Sequence, residues 1–336
     1  MWFRARYGQP DEQADMKVDP EVAALLPVLN TGFPAVETMS GPEARAAVRS
    51  RYTPPLQPQR IGSVQDRSIP GPHGRIPVRI YRPEAPSGVP APMVVFAHGG
   101  GFVFCDLDTH DDLCRSLSAG IGAVVISVDY RLAPESQWPA AADDVYGAVC
   151  WAARCADELD GDATKIVVAG DSAGGNLAAV TALLARDLGG PDVACQALLY
   201  PVIAADFGTE SYLRFATGFY NTRAAMEWYW DQYVPDTRDR AHPHAAPIHA
   251  DLCGLPPAVV VTAGLDPLNS EGEDYAEALA AEGVPVVHRN YAGAIHGFMT
   301  MPSLTLAVTA RQQVCEDIRT VLDRYPVRSW WMSKPL

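Results

Sequence analysis

No stretch of this 336-residue chain approaches about 18 consecutive apolar residues, so nothing in it reads as a membrane-spanning helix. Residues 1–8 hold no apolar core followed by a small-residue cleavage site, which argues against a signal peptide. Basic charge is scarce: 26 Lys and Arg stand against 40 Asp and Glu, a net charge of −14. A nucleic-acid surface needs clustered cations to meet phosphates, so no nucleic-acid partner is expected. The seven cysteines are scattered, odd in number and without a CxxC pair, which suits neither a disulfide framework nor a zinc site. Thiols of that kind fit a reducing compartment, and a cytoplasmic protein is expected. Internal repeats and low-complexity tracts are missing too.

What is present is ordinary globular material, 48% hydrophobic and 20% charged, long enough for one large core and a smaller module. From residue 76 onward, apolar strand-like runs alternate with helical patterns. The strands fall at 76–81, 93–97, 123–128, 165–169, 194–199, 258–262 and 285–291, and the helices near 109–118, 140–159, 174–187, 270–282 and 303–324. Runs such as Met93-Val94-Val95-Phe96-Ala97 are apolar on both faces, as in a sheet covered by helices on both sides. The pattern predicts an α/β fold with a mostly parallel, doubly wound central sheet. Two helices are expected before it, near 20–29 and 42–51, the second opened by Ser40 and Glu43 at capping-box spacing. The rhythm breaks at residues 203–255, an aromatic-rich insertion with one clear helix near 221–233. Its aromatics suit either a ligand-lining cap or a small core of their own. The expected division is residues 1–55 as N-terminal helices contributing to a cap, 56–202 and 256–336 as the main α/β domain, and 203–255 as the cap insertion.

Gly170-Asp171-Ser172-Ala173-Gly174 lies between the strand at 165–169 and a helix. A Gly-x-Ser-x-Gly in that place reads as a sharp, strained turn presenting a serine hydroxyl, with glycines where side chains would collide. A serine nucleophile needs a base, and the base needs a carboxylate to orient it. On a sheet of this kind the chain order is serine, acid, histidine. Only His288 and His296 follow both the serine and a post-strand acid. His288 falls inside a strand, whereas His296 sits in a glycine-flanked segment before the last helix, so His296 is the preferred base. Asp266, at the end of the strand at 258–262 and followed by Pro267, is the preferred acid over Glu271, Glu273 and Asp274, which look solvated on a helix. Upstream, His98-Gly99-Gly100-Gly101 follows the strand at 93–97 and suits backbone N–H groups approaching an oxyanion. A phosphate loop is the rival, but no GxGxxG or Walker lysine accompanies it. The N–H of Ala173 would be a further donor, and His98 reads as a loop organiser. No metal or cofactor is expected.

These segments, with Asp129-Tyr130-Arg131-Leu132-Ala133-Pro134-Glu135, Asp266-Pro267-Leu268 and His296-Gly297-Phe298, come in an order that resembles the hormone-sensitive-lipase-like family of α/β-hydrolase carboxylesterases, its microbial branch especially. The resemblance spans about residues 70–325. It implies an α/β-hydrolase fold, a cap from the N-terminal helices and an insertion after the sixth strand, and a cofactor-free serine esterase favouring short to medium acyl chains. Carried over by position, Ser172 is nucleophile, Asp266 orienter and His296 base. Gly100, Gly101 and Ala173 are the oxyanion donors, with His98, Gly99, Gly170, Asp171 and Gly174 in support. Residues 129–135 brace the site. Two departures are Cys105, where the family usually has glycine, and Asn269-Ser270, which replace a commonly charged pair. Cys105 stands to narrow the pocket or to make activity sensitive to thiol reagents. The expected partner is a small ester, with a homodimer left open and Trp330-Trp331 as one place for a subunit contact. An amidase, lactonase or thioesterase would use the same residues, and a non-catalytic receptor on this fold is the reading from another class.

Overall fold

The computed structural model describes residues 17–55, 57–84 and 88–326. Residues 1–8 and the Trp330-Trp331 pair lie outside them. Strands β1 (Ser63–Gly71), β2 (Gly74–Arg82), β3 (Ala91–Ala97), β4 (Val124–Val128), β5 (Gly161–Asp171), β6 (Cys195–Leu199), β7 (Ala258–Leu265) and β8 (Val286–Ile295) form one sheet. Their order is β1-β2-β4-β3-β5-β6-β7-β8. Strand β2 pairs antiparallel with both of its neighbours, β1 and β4, and the remaining pairs are parallel. Seven strands match the sequence reading. The eighth, β1, went unread for a physical reason: it is an edge strand in which only Ile69 is buried, so its side chains carry no alternating signal.

Nine α-helices are described: α1 (Pro20–Gly32), α2 (Gly41–Arg49), α3 (Asp111–Ile121), α4 (Ala140–Arg154), α5 (Ala173–Asp187), α6 (Glu210–Arg214), α7 (Arg223–Tyr233), α8 (Asn269–Ala281) and α9 (Thr305–Arg324). Alternate residues of β3 feed opposite cores. Met93 and Val95 belong to the core on the side of α4, α5 and α8, while Val94 and Phe96 belong to the core on the side of α3 and α9. Each such side chain gains about 1.5–3 kcal/mol on leaving water, which is why the central strands are apolar throughout. At the N-terminal side, Ser40 and Glu43 form the expected capping box on α2, and Asp19 caps α1 through the N–H groups of Glu21 and Val22.

The strand order reverses at β3, whose neighbours are β4 on one side and β5 on the other. Sheets of this type place ligands at such a switch point, beyond the carboxyl ends of the strands. Ala97 of β3 lies opposite Gly170 of β5, so the loops after these two strands emerge side by side. Over them, α1 and the 203–255 insertion meet. The Asn30 side chain donates to Gly218 O (2.8 Å) and accepts from the N–H of Tyr220 (2.9 Å).

Candidate active site

Ser172 sits between the end of β5 and the start of α5 with φ +55° and ψ −119°. That backbone conformation costs an L residue on the order of 1–3 kcal/mol and persists only where its surroundings hold it. Here the Ser172 N–H donates to Leu199 O at 2.8 Å, and its carbonyl accepts from Asn176 and Val202. A Cβ on Gly174 would lie 1.9 Å from Ala97 O, so glycine is required where the turn presses against β3. The serine is 7% exposed.

His296 Nε2 lies 2.8 Å from Ser172 Oγ, and its Nδ1 lies 2.6 Å from Asp266 Oδ2. Asp266 is wholly buried, and its other oxygen accepts the Leu268 N–H at 3.0 Å. A carboxylate fixed there holds the ring with Nδ1 protonated, leaving Nε2 to accept the serine proton. The edge of the Tyr200 ring packs on the imidazole, centroids 5.2 Å apart. The alternatives go elsewhere. His288 Nε2 pairs with Thr262 Oγ1 at 3.0 Å. Glu273 accepts from the Asn290 side chain. Glu271 corrects the expectation of a solvated face: it is 2% exposed and accepts the N–H groups of Ile203 (2.6 Å) and Ala204 (3.3 Å).

The loop at 98–101 is held from several directions. The Gly99 N–H donates to Asp171 Oδ1 at 2.8 Å, and the same oxygen lies 3.1 Å from His110 Nε2. The His98 ring is stacked on Tyr130, centroids 4.3 Å apart, and the Tyr130 hydroxyl donates to His98 O at 2.7 Å. Burial pushes the His98 imidazole down to about 4, so it stays neutral, as suits a loop organiser. Gly101 has φ +59°, and a Cβ there would sit 2.3 Å from the Tyr229 ring. Ala173 is buried at the first turn of α5, beside the serine. Residues 129–135 are tied down by Arg131 to Asp144 and by Arg45 to Glu135. His110 was not singled out by sequence. Its contact with Asp171 arises because α3 begins beside the end of β5, and no spacing in the sequence signals it.

Ser172, His296, Gly100 and Gly101 line a cavity of about 360 Å³. Its other walls come from α1 and the turn after it (Phe33, Glu37) and from the insertion (Tyr220, Tyr229). Tyr212, Phe215, Trp228, Trp230 and Tyr233 are instead buried in the core, Tyr233 stacked on Phe102 at 3.7 Å. The insertion's aromatics thus serve mostly to pack it onto the core of the sheet and its helices. Among the described residues, no group of three or more His, Cys, Asp or Glu side chains could hold a metal ion, and no helix is long and apolar enough to cross a membrane. A hydroxyl aligned with a carboxylate-held imidazole, at the floor of a cavity beside a glycine loop, can deliver an alkoxide to an electrophilic carbonyl.

A family model described as alpha/beta hydrolase fold matches residues 94–300. The chain is 44% identical to the carboxylic ester hydrolase LipN of Mycobacterium tuberculosis over 77% of its own length and 70% of that protein's. It is 42% identical to the carboxylesterase NlhH of the same organism, covering 83% of this chain and 89% of that one. Among solved structures, it is similar to a thermostable esterase from Pseudomonas putida, with a TM-score of 0.85, 37% identity and coverage of 94% and 99%. With its doubly wound sheet, the elbow after β5 and relatives matched over most of their length, the chain belongs to the hormone-sensitive-lipase-like family of α/β hydrolases.

Proposed function

We propose that this protein is a serine carboxylesterase that hydrolyses short- to medium-chain acyl esters through an acyl-enzyme intermediate. The observation that carries the reading is the continuous contact from Asp266 through His296 to Ser172 Oγ at the cavity floor. Ser172 Oγ attacks the acyl carbonyl as His296 Nε2 takes its proton, and Asp266 stabilises the imidazolium. The N–H groups of Gly100, Gly101 and Ala173 receive the oxyanion. The C–O bond to the alcohol breaks, with His296 returning the proton to the leaving oxygen. Water then repeats the sequence on the acyl-enzyme, giving the acid and free Ser172. The relatives' activities, carboxylic ester hydrolase and carboxylesterase, support the same class.

The cap in this reading comprises the N-terminal helices within residues 1–55 and the insertion at 203–255, over an α/β domain of residues 56–202 and 256–336. Its support is the Asn30 bridge and the cavity walls shared by both parts. Seven free thiols support a cytoplasmic site. The assembly state stays open between a monomer and a homodimer, which sedimentation distinguishes.

The test is p-nitrophenyl butyrate hydrolysis by wild type and Ser172→Ala. The variant is expected to lose roughly 10⁴–10⁶ in kcat with its fold intact. Undiminished turnover would overturn the assignment.

A further inference from the structure

Cys105 takes no part in the reaction just described, yet it stands at an unusual place. Its φ is +69°, a conformation L side chains rarely adopt. It lines the cavity above Ser172 and also a second cavity of about 300 Å³. That second space is roofed by α2 through Arg45, Val48 and Arg49, with Leu132 and Thr109 on its walls. Its bordering cations are already engaged. Arg45 binds Glu135 and the carbonyls of Val103 and Ala133, and Arg49 binds Asp106 and Asp108. Their alkyl stems, Val48 and Leu132 make most of the interior apolar, with Asp106 and Asp129 as the acidic part of its wall. The turn between the two spaces is fixed by Thr109 and Asp106, whose backbone and side-chain groups bond reciprocally at 2.9 and 3.0 Å. Burial pushes the Cys105 thiol up to about 12, so the side chain is neutral and unreactive, a wall rather than a nucleophile.

We infer that Cys105 is the end wall of the ester cavity and sets the longest unbranched alkyl chain the enzyme accepts. Removing its side chain joins the pocket to a space almost as large again. The inference rests on the esterase reading. The chain that reaches the wall can belong to the acyl or the alcohol half of the ester, and both present the same chemistry to it.

The experiment measures kcat/KM for wild type, Cys105→Gly, Cys105→Ala and Cys105→Gly/Val48→Trp. One series varies the acyl group of p-nitrophenyl esters from acetate to dodecanoate, and the other varies the alcohol of butyrate esters from ethyl to decyl. Glycine suits the observed φ, and alanine guards against a folding artefact. Each newly buried methylene is worth about fourfold, so the long-to-short ratio should rise roughly tenfold or more in Cys105→Gly and less in Cys105→Ala. Val48→Trp, which fills the second cavity, should return the ratio towards wild type. A shift in the acyl series or in the alcohol series supports the inference and assigns the side. Parallel profiles in both series, with wild type active, overturn it and leave the esterase reading standing. An inactive wild type, or an unimpaired Ser172→Ala, defeats the esterase reading instead.

Discussion

Asp171 is enclosed beside the serine, yet its carboxyl titrates below the ordinary aspartate range. Burial alone would raise it, but the His110 ring and the Gly99 N–H outweigh that cost. The side chain therefore ties the glycine loop at 98–101 to the turn at Ser172 through one oxygen. Asp171→Ala would leave the Gly99 N–H and His110 without their acceptor. It should cost roughly 2–4 kcal/mol of stability and lower kcat by about tenfold as the loop loosens. Asp171→Asn keeps an acceptor and loses only the charge. A depressed carboxylate stabilises the fold above its unfolded value of about 3.9, and that contribution is lost as pH falls through the folded value. The stability gap between wild type and Asp171→Asn should thus be full at neutral pH and close in acid, as urea titrations at the two conditions would show. An equal gap at both would sink the argument. The sequence named Asp171 only as part of a motif. Its partners Gly99 and His110 are distant in the chain, Gly99 by 72 residues, and meet it only because β3 and β5 pair in the sheet.

At the scale of elements, the junction between α8 and the insertion repeats this lesson. Glu271, on the first turn of α8, reaches the N–H groups where the chain leaves β6 for the insertion. Ser270 and Ser211 exchange hydrogen bonds across the same seam, at 3.1 and 3.2 Å. Of the pair Asn269-Ser270, a departure from the family pattern, Ser270 therefore joins α8 to α6, while Asn269 accepts from the Asn290 side chain of β8. The helical period of α8 was legible, but which of its faces met protein was not, because the covering element comes from 68 residues away. Conversely, β3 to β7 were legible since both of their faces are buried, whereas β1, polar and at an edge, was not. Burial raises the Glu271 carboxyl well above its usual range. A raised acid favours the protonated fold, so wild-type stability should fall as pH climbs above about 4.3 toward the folded value. Glu271→Gln keeps the acceptor for Ile203 and has no proton to lose. It should match wild type near pH 5 and exceed it in mild alkali by on the order of 1 kcal/mol. Thermal melts across that range check the slope, and identical slopes would refute the role.

For the whole molecule, charge is the property that reaches the substrate before any contact does. With 40 acidic and 26 basic residues the net charge is −14, and the exposed Glu37 adds a carboxylate at the cavity wall. The field of such a surface lowers the local concentration of anions and leaves neutral molecules unaffected. At physiological ionic strength the Debye length is about 8 Å, so added salt should lift the penalty on an anionic substrate. For a p-nitrophenyl ester with a terminal carboxylate on its acyl chain, kcat/KM should rise roughly threefold between low and high salt. The neutral ester of equal length should stay flat. Glu37→Gln should remove part of the salt dependence, because only the local contribution is lost while the global charge remains. A neutral ester that gained as much from salt as the anionic one would point to a conformational effect of salt and against electrostatic exclusion at the mouth of the site.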